Sequence, residues 1–259
     1  MKTSIIICTY NEEKTISNVV ISCCVHNPDS EIIVVDDGSV DNTENLLLEL
    51  AKKYIFRYER LKQNKGKSWA MVHGVEISTN DIILFFDADV SNIKKEHFDI
   101  LLTPIFNNEA DLVLGQPSET LIDYRVNPFK TLTGQRALFK KDIVPILNDI
   151  RTIRFGVETY INLYYQAQGK RIKYVLLKEL KHPTKYEKTT PIKATKEFIN
   201  EGKEIAITLV KNYDLITQRI ELQFNRANEN EIKKINRVQN EINDHLLSLI
   251  NSVDKFIEE

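Results

Sequence analysis

The sequence is poor in glycine, proline and cysteine, with 8, 7 and 3 of them in 259 residues. So few glycines and prolines exclude collagen-like and low-complexity chains. The cysteines Cys8, Cys23 and Cys24 are odd in number, two are adjacent, and no C-x-x-C spacing occurs. That argues against a disulfide framework or a zinc site, and a reducing, cytoplasmic setting is expected. There is no run of ~18 consecutive apolar residues, so no transmembrane helix is expected. The first apolar run ends at Cys8, too short for the core of a signal peptide. Neither sign of charge dominates: 35 Lys and Arg face 37 Asp and Glu, for a formal net charge of -2. That balance carries no footprint of nucleic-acid binding.

What is present is a folded α/β pattern. Ser4 to Cys8 is an unbroken apolar run, as in a strand buried on both faces of a parallel sheet. Ile16, Val19, Val20, Cys23 and Cys24 then recur at helical spacing. Glu31 to Val35 reads as a second strand, and Leu46, Leu47, Leu50, Ala51 and Tyr54 as a second helix. Ile55 to Tyr58 reads as a third strand, Ala70, Gly74 and Ile77 as a helix begun near Gly66, and Ile82 to Phe86 as a fourth strand. Strand and helix alternating in units of ~30 residues predict βαβ crossovers and a mostly parallel sheet. Leu112 to Leu114 and Ile172 to Leu177 read as later strands, separated by a long loop over 116–133. From Pro191 the pattern becomes helical. Ile232, Ile235, Val238, Ile242, Leu246, Leu249, Val253 and Phe256 form a stripe that either packs on the main domain or pairs with a second chain. The expected division is an α/β domain over 1–185 and a C-terminal helical extension over 186–259.

The first βα turn, Thr9-Tyr10-Asn11-Glu12-Glu13, has no glycine. A dinucleotide fold or a P-loop needs glycines there for its backbone to approach phosphate, so both are excluded. Any recognition at this turn must use side chains. The second strand ends in Asp36-Asp37-Gly38-Ser39, with Asp41 and Thr43 following. A helix cap and a turn account for Asp41 and Gly38. They account poorly for two acids closing a buried strand, which need partners. Lys65 and Lys67 flank a helix start, where an anion is favoured. The fourth strand ends in Asp87-Ala88-Asp89. In an extended chain such a pair points one way and reaches one hard cation, leaving positions open for phosphate oxygens.

Taken together, Thr9-Tyr10-Asn11-Glu12, Val34-Val35-Asp36-Asp37-Gly38-Ser39, Asn64-Lys65-Gly66-Lys67 and Asp87-Ala88-Asp89 resemble the family 2 glycosyltransferases, clearly over residues 1 to 90 and more weakly to 185. The resemblance implies a GT-A fold, a Rossmann-like, mostly parallel sheet flanked by helices, and a nucleotide-sugar donor. It places Thr9, Tyr10, Glu12, Asp36 and Asp37 around base and ribose, and Lys67 near the base or diphosphate. Asp87 and Asp89 become a D-x-D site for Mg2+ or Mn2+, with Asp89 the more direct ligand. A metal there neutralises the leaving diphosphate.

Two further segments resemble particular branches. Thr133-Gly134-Gln135-Arg136-Ala137-Leu138 resembles the acceptor-side Gly-x-Arg segment of polyprenyl-phosphate hexosyltransferases and glucosyl-phosphoglycerate synthases. Phe155-Gly156-Val157-Glu158 resembles the Gly-x-Glu segment of the synthases. There Glu158 binds sugar hydroxyls or acts as base; a helix-start acid is the plainer alternative. His182 falls where the synthases place a third metal ligand. Two departures stand out. No glycine- and arginine-rich loop follows Leu114, which argues against phosphoglycerate as acceptor, and the Glu-Asp pair that often supplies a base is missing.

The expected function is therefore metal-dependent transfer of a hexose from UDP-glucose or a similar donor to a hydroxyl-bearing acceptor. The rivals are a polyprenyl-phosphate hexosyltransferase at a membrane surface, an inactive nucleotide-sugar sensor, and an interaction protein built on the C-terminal stripe.

Overall fold

A computed structural model describes residues 2–117, 133–153, 156–181 and 206–226 of the chain. Seven strands are described: β1 (Thr3–Thr9), β2 (Glu31–Asp36), β3 (Arg57–Arg60), β4 (Ile82–Phe85), β5 (Leu112–Pro117), β6 (Arg136–Phe139) and β7 (Ile172–Leu177). They form one sheet in the order β3-β2-β1-β4-β6-β5-β7. β1 lies parallel to β2 and β4, β2 to β3, and β5 to β7. β6 alone among them runs antiparallel to its neighbours β4 and β5.

The helices are α1 (Ile16–His26), α2 (Thr43–Leu50), α3 (Lys67–Ile77), α4 (Lys95–Phe106), α5 (Lys140–Ile143), α6 (Leu147–Thr152), α7 (Val157–Ala167) and α8 (Tyr213–Arg226). Strand alternation sends Ile5, Ile7, Val34, Leu84 and Ala137 to one face, where Val19, Val20, Leu47, Phe98 and Leu101 cover them. Ile6, Ile33, Ile83, Leu114 and Leu138 go to the other, under Val72, Ile150, Val157 and Ile161. Both faces are covered, which is why β1 reads as an unbroken apolar run. Ile5, Ile6 and Ile7 are fully buried, each contributing about 1.5–3 kcal/mol. α3 approaches β1 closely through Gly74, where a Cβ would stand 2.5 Å from Ile6 Cγ2.

The mostly parallel sheet agrees with the expectation from sequence, while two boundaries and one strand do not. The third strand covers Arg57–Arg60 rather than 55–58, and Ile55 is 98% exposed. At one end of the sheet order, β3 is an edge strand, and none of its four residues is buried, so no apolar run marks it. β5 continues to Pro117, two residues into the expected loop; residues 118–132 lie outside the described ones. β6 was not expected at all.

In the extension, residues 206–211 are helical, and α8 packs along α7, with Leu215 against the second core cluster. The 232–256 stripe and the 185/186 boundary lie outside the described residues. Among the described residues, no helix is long and apolar enough to cross a membrane. All three cysteines are free thiols.

Candidate active site at the carboxyl edge of the sheet

Parallel strands deliver their C-terminal ends to one edge, where α/β proteins place their sites. Thr9 ends β1 opposite Asp36 at the end of β2, and the Asp37 N–H donates to Thr9 O at 2.9 Å. Asp87 follows β4. Because β6 runs the other way, its beginning, Gly134 to Arg136, meets the same edge.

The first turn is knitted to the turn after β2. The Asn11 N–H donates to Ser39 Oγ (3.0 Å), the Glu12 N–H to Thr43 Oγ1 (3.0 Å) and the Glu13 N–H to Asp41 Oδ2 (3.2 Å). In return the Val40 N–H donates to Asn11 Oδ1 (2.8 Å) and the Asn42 N–H to Glu13 Oε2 (3.0 Å). The amides that a glycine-rich loop would turn to phosphate are thus engaged by side chains. Tyr10 remains exposed, and Glu12 lies partly buried beside it. The buried Thr9 hydroxyl has no hydrogen-bond partner among the described residues.

The two acids after β2 divide their work. Asp36 is fully buried. Its Oδ1 accepts from the Ser39 N–H (2.8 Å) and hydroxyl (2.6 Å), and its Oδ2 accepts from the Tyr58 hydroxyl (3.0 Å), with Arg60 Nε at 3.5 Å. Both oxygens thus have partners within the protein. Asp37 accepts the Lys65 N–H at 2.8 Å and the Gly66 N–H at 2.7 Å, and so fastens the loop that leads into Lys67. Burial raises its pKa, against the pull of those two donors.

At the centre lies a four-charge cluster. Lys67, the first residue of α3, places Nζ 3.1 Å from Asp87 Oδ1 and 2.9 Å from Glu158 Oε1, near the start of α7. Burial lowers the Lys67 pKa, but Asp87 and Glu158 outweigh it and hold the ammonium above its usual value. Burial works against the Glu158 carboxylate, yet Lys67 and then Arg136 keep its pKa below the ordinary Glu range. Arg136 is fully buried. Its Nη2 donates to Thr133 O, while Nε and Nη1 have no hydrogen-bond partner among the described residues. Cys8 lies close enough to feel Lys67 and Asp87; burial pushes its thiol up to about 12, so it stays neutral.

Gln135 had no role in the sequence reading, and Gly134 entered it only as the glycine of the Gly-x-Arg segment; both lie against Asp87. Gln135 Oε1 accepts the Asp87 N–H and its Nε2 donates to Asp87 Oδ2, both at 3.2 Å. A Cβ on Gly134 would stand 2.0 Å from Asp87 Oδ1, so only glycine lets the carboxylate lie there. The signal was the glycine beside a polar residue at the start of a short strand.

Ala88 and Asp89 lie in a turn, not in an extended strand, and Asp89 is partly buried. The strand argument for their shared direction therefore does not apply. Among the described residues no group of three His, Cys, Asp or Glu could hold a metal. Asp87 does already hold a cation, the Lys67 ammonium. A Mg2+-like ion binds through one or two carboxylates plus substrate phosphates, and the Asp87 carboxylate is a hard donor of that kind. His182 and Phe155 lie outside the described residues.

Residues 4–165 match the family model described as Glycosyl transferase family 2. Among curated relatives, the poly-beta-1,6-N-acetyl-D-glucosamine synthase of Staphylococcus epidermidis is 27% identical over 155 residues, 59% of this chain and 32% of that protein. The dolichol-phosphate mannosyltransferase of Pyrococcus furiosus is 33% identical over 117 residues, 44% of this chain and 33% of that one. The UDP-N-acetylglucosamine--dolichyl-phosphate N-acetylglucosaminyltransferase of Methanococcus voltae is 31% identical over 153 residues, 52% of this chain and 59% of that one. The matched part thus spans between about a third and three fifths of these relatives (32%, 33% and 59%). The crystal structure of glucosyl-3-phosphoglycerate synthase from Mycobacterium tuberculosis, in complex with Mn2+, UDP and phosphoglyceric acid, superposes with a TM-score of 0.64 at 20% identity, covering 81% of this chain and 78% of that one. That likeness shows the fold. With the family model spanning more than half of the chain and that structure showing the same fold, the chain belongs to glycosyl transferase family 2 and has a GT-A fold.

Proposed function

We propose that the protein transfers a hexose from a nucleoside-diphosphate sugar, UDP-glucose or a similar donor, to a hydroxyl-bearing acceptor, with Mg2+ or Mn2+ at Asp87 and Asp89. The observation that carries this reading is the Lys67–Asp87–Glu158 cluster beside Arg136, whose Nε and Nη1 have no hydrogen-bond partner among the described residues. It combines a carboxylate already holding a cation with a buried guanidinium that has N–H groups to offer an anion. The UDP and Mn2+ bound to the mycobacterial synthase support it.

In this reading Thr9, Tyr10 and Glu12 meet the base and ribose. The unpartnered Thr9 hydroxyl is a ready donor or acceptor. Asp36 acts through the turn it holds, and Asp37 through the 64–66 loop. Lys67 faces the diphosphate, and Glu158 the donor sugar's hydroxyls or the acceptor proton. When bound, the metal supplies charge neutralisation to the departing diphosphate. His182 is proposed as a further ligand: its neighbour Lys181 exchanges backbone hydrogen bonds of 2.9 and 3.0 Å with Ser91, two residues past Asp89.

A lipid phosphate as acceptor is the second reading. It is favoured by the dolichyl-phosphate relatives at 33% and 31% identity and by the Arg136 guanidinium, whose Nε and Nη1 have no hydrogen-bond partner among the described residues. The test is release of UDP from UDP-hexoses with Mn2+, with a polyprenyl phosphate or a soluble sugar acceptor. Metal-dependent turnover that Asp89→Ala abolishes supports the proposal. Equal turnover with EDTA refutes the metal role.

A further inference from the structure

We infer that Lys67 is a resident cation in the metal's place, and that the metal and the nucleoside diphosphate bind as a pair because together they dislodge it. The inference rests on the donor site proposed above.

The two oxygens of Asp87 have separate duties. Oδ2 is held by Gln135, and Oδ1 faces the Lys67 ammonium at 3.1 Å. The same ammonium reaches Glu158 at 2.9 Å, across the gap between the end of β4 and the start of α7. Without ligand, two carboxylates and two cations, Lys67 and Arg136, leave the cluster neutral. A dication arriving alone at Oδ1 meets an ammonium already there, and like charges in a partly buried site repel strongly. A diphosphate arriving alone adds its negative charge beside two carboxylates. Arriving together, the two compensate each other. The lysine can then exchange Asp87 for a diphosphate oxygen, since its charge is a point on a flexible four-carbon stem. Lys67 thus positions the metal and donor through exchange, and it keeps a bare metal from settling in the site.

The test is Mn2+ binding to the full chain, read by electron paramagnetic resonance with and without UDP, in wild type, Lys67→Met and Lys67→Arg. Wild type should bind Mn2+ weakly alone and tightly with UDP, with a coupling in the range of about 5–150-fold. Lys67→Met should bind Mn2+ alone about tenfold more tightly and lose about that factor of coupling. Lys67→Arg should keep the wild-type pattern. Lys67→Gln is the second neutral variant should the methionine variant not fold.

Equal Mn2+ affinity of wild type and Lys67→Met without UDP overturns the inference, while UDP-dependent binding in wild type would still uphold the donor site. Equal tightening with and without UDP also overturns it, because the lysine is then background charge only. No Mn2+ binding in either protein, even with UDP, removes the donor-site reading and this inference with it.

Discussion

Gln135 grips Asp87 twice, accepting its backbone N–H and donating to its Oδ2, each at 3.2 Å. The grip exists because β6 is antiparallel: its first residues begin where β4 ends. Outer partners of a metal-binding carboxylate typically carry 10–100-fold in affinity or activity. Gln135→Ala should therefore lower Mn2+-dependent transfer by about 10–100-fold with little change in melting temperature. Gly134→Ala should do at least as much, because its Cβ would overlap both oxygens of Asp87. Transfer kinetics and Mn2+ titration check both. Wild-type behaviour of Gly134→Ala would mean that Asp87 is not needed in this position.

Arg136 gives a joint prediction for stability and activity. The buried guanidinium helps hold Glu158 ionised, and removing one partner of a buried charge pair costs about 3–5 kcal/mol. Arg136→Met should melt lower than wild type, and Arg136→Lys, which keeps the charge, should recover part of that loss. Transfer should fall by about 100-fold or more, as when a donor to a developing anion is removed. A large drop in melting temperature with unchanged specific activity would make Arg136 a structural residue.

Asp37 should show its effect through the loop it fastens. Asp37→Ala leaves the Lys65 and Gly66 N–H groups without their acceptor, at a cost of about 1–3 kcal/mol. Asp37→Asn should lose less, since one acceptor oxygen remains. Both should weaken UDP binding, because Lys67 follows directly on that loop. Urea melts and UDP titration separate the two effects, and wild-type stability of Asp37→Ala would refute the fastening.

The carboxyl edge of the sheet is legible in the sequence. The apolar run of β1 and the acids that close β2 and follow β4 stand in contiguous segments of the chain. Legibility fails where roles depend on a partner distant in the chain. Asp36 and Asp37 are neighbours, but only the fold shows that Tyr58 and Ser39 engage one while Lys65 and Gly66 engage the other. β6 is four residues, one of them a buried arginine, so no window of apolar residues announces it. α4 was legible and passed over: Phe98, Leu101, Leu102 and Ile105 have helical spacing and are buried.

Acid should loosen the far side of the sheet. Asp111 accepts from the Arg171 N–H, Nε and Nη2 at 2.8, 3.1 and 3.0 Å, joining the starts of β5 and β7. The Arg171 side-chain bonds, against some burial, hold the Asp111 pKa below its ordinary value. The folded state therefore favours the ionised form. Its stabilisation is complete above the unfolded pKa of about 3.9 and disappears as pH falls through the lower folded value. With the Arg171 side chain half exposed, the effect is at most about 1 kcal/mol. Asp111→Asn should be less stable at neutral pH and show a shallower loss of stability below pH ~4. Parallel acid melts would contradict the assignment.

The central claim is a metal-bridged nucleotide-sugar site at the carboxyl edge of the sheet. Its most direct test is the melting temperature against a panel of UDP- and GDP-sugars, with Mn2+ and then with EDTA. A ligand at a hundredfold its dissociation constant adds about 2.7 kcal/mol. The account predicts a rise for one nucleotide series that disappears with EDTA and in Asp89→Ala. No rise with any nucleotide sugar would contradict it.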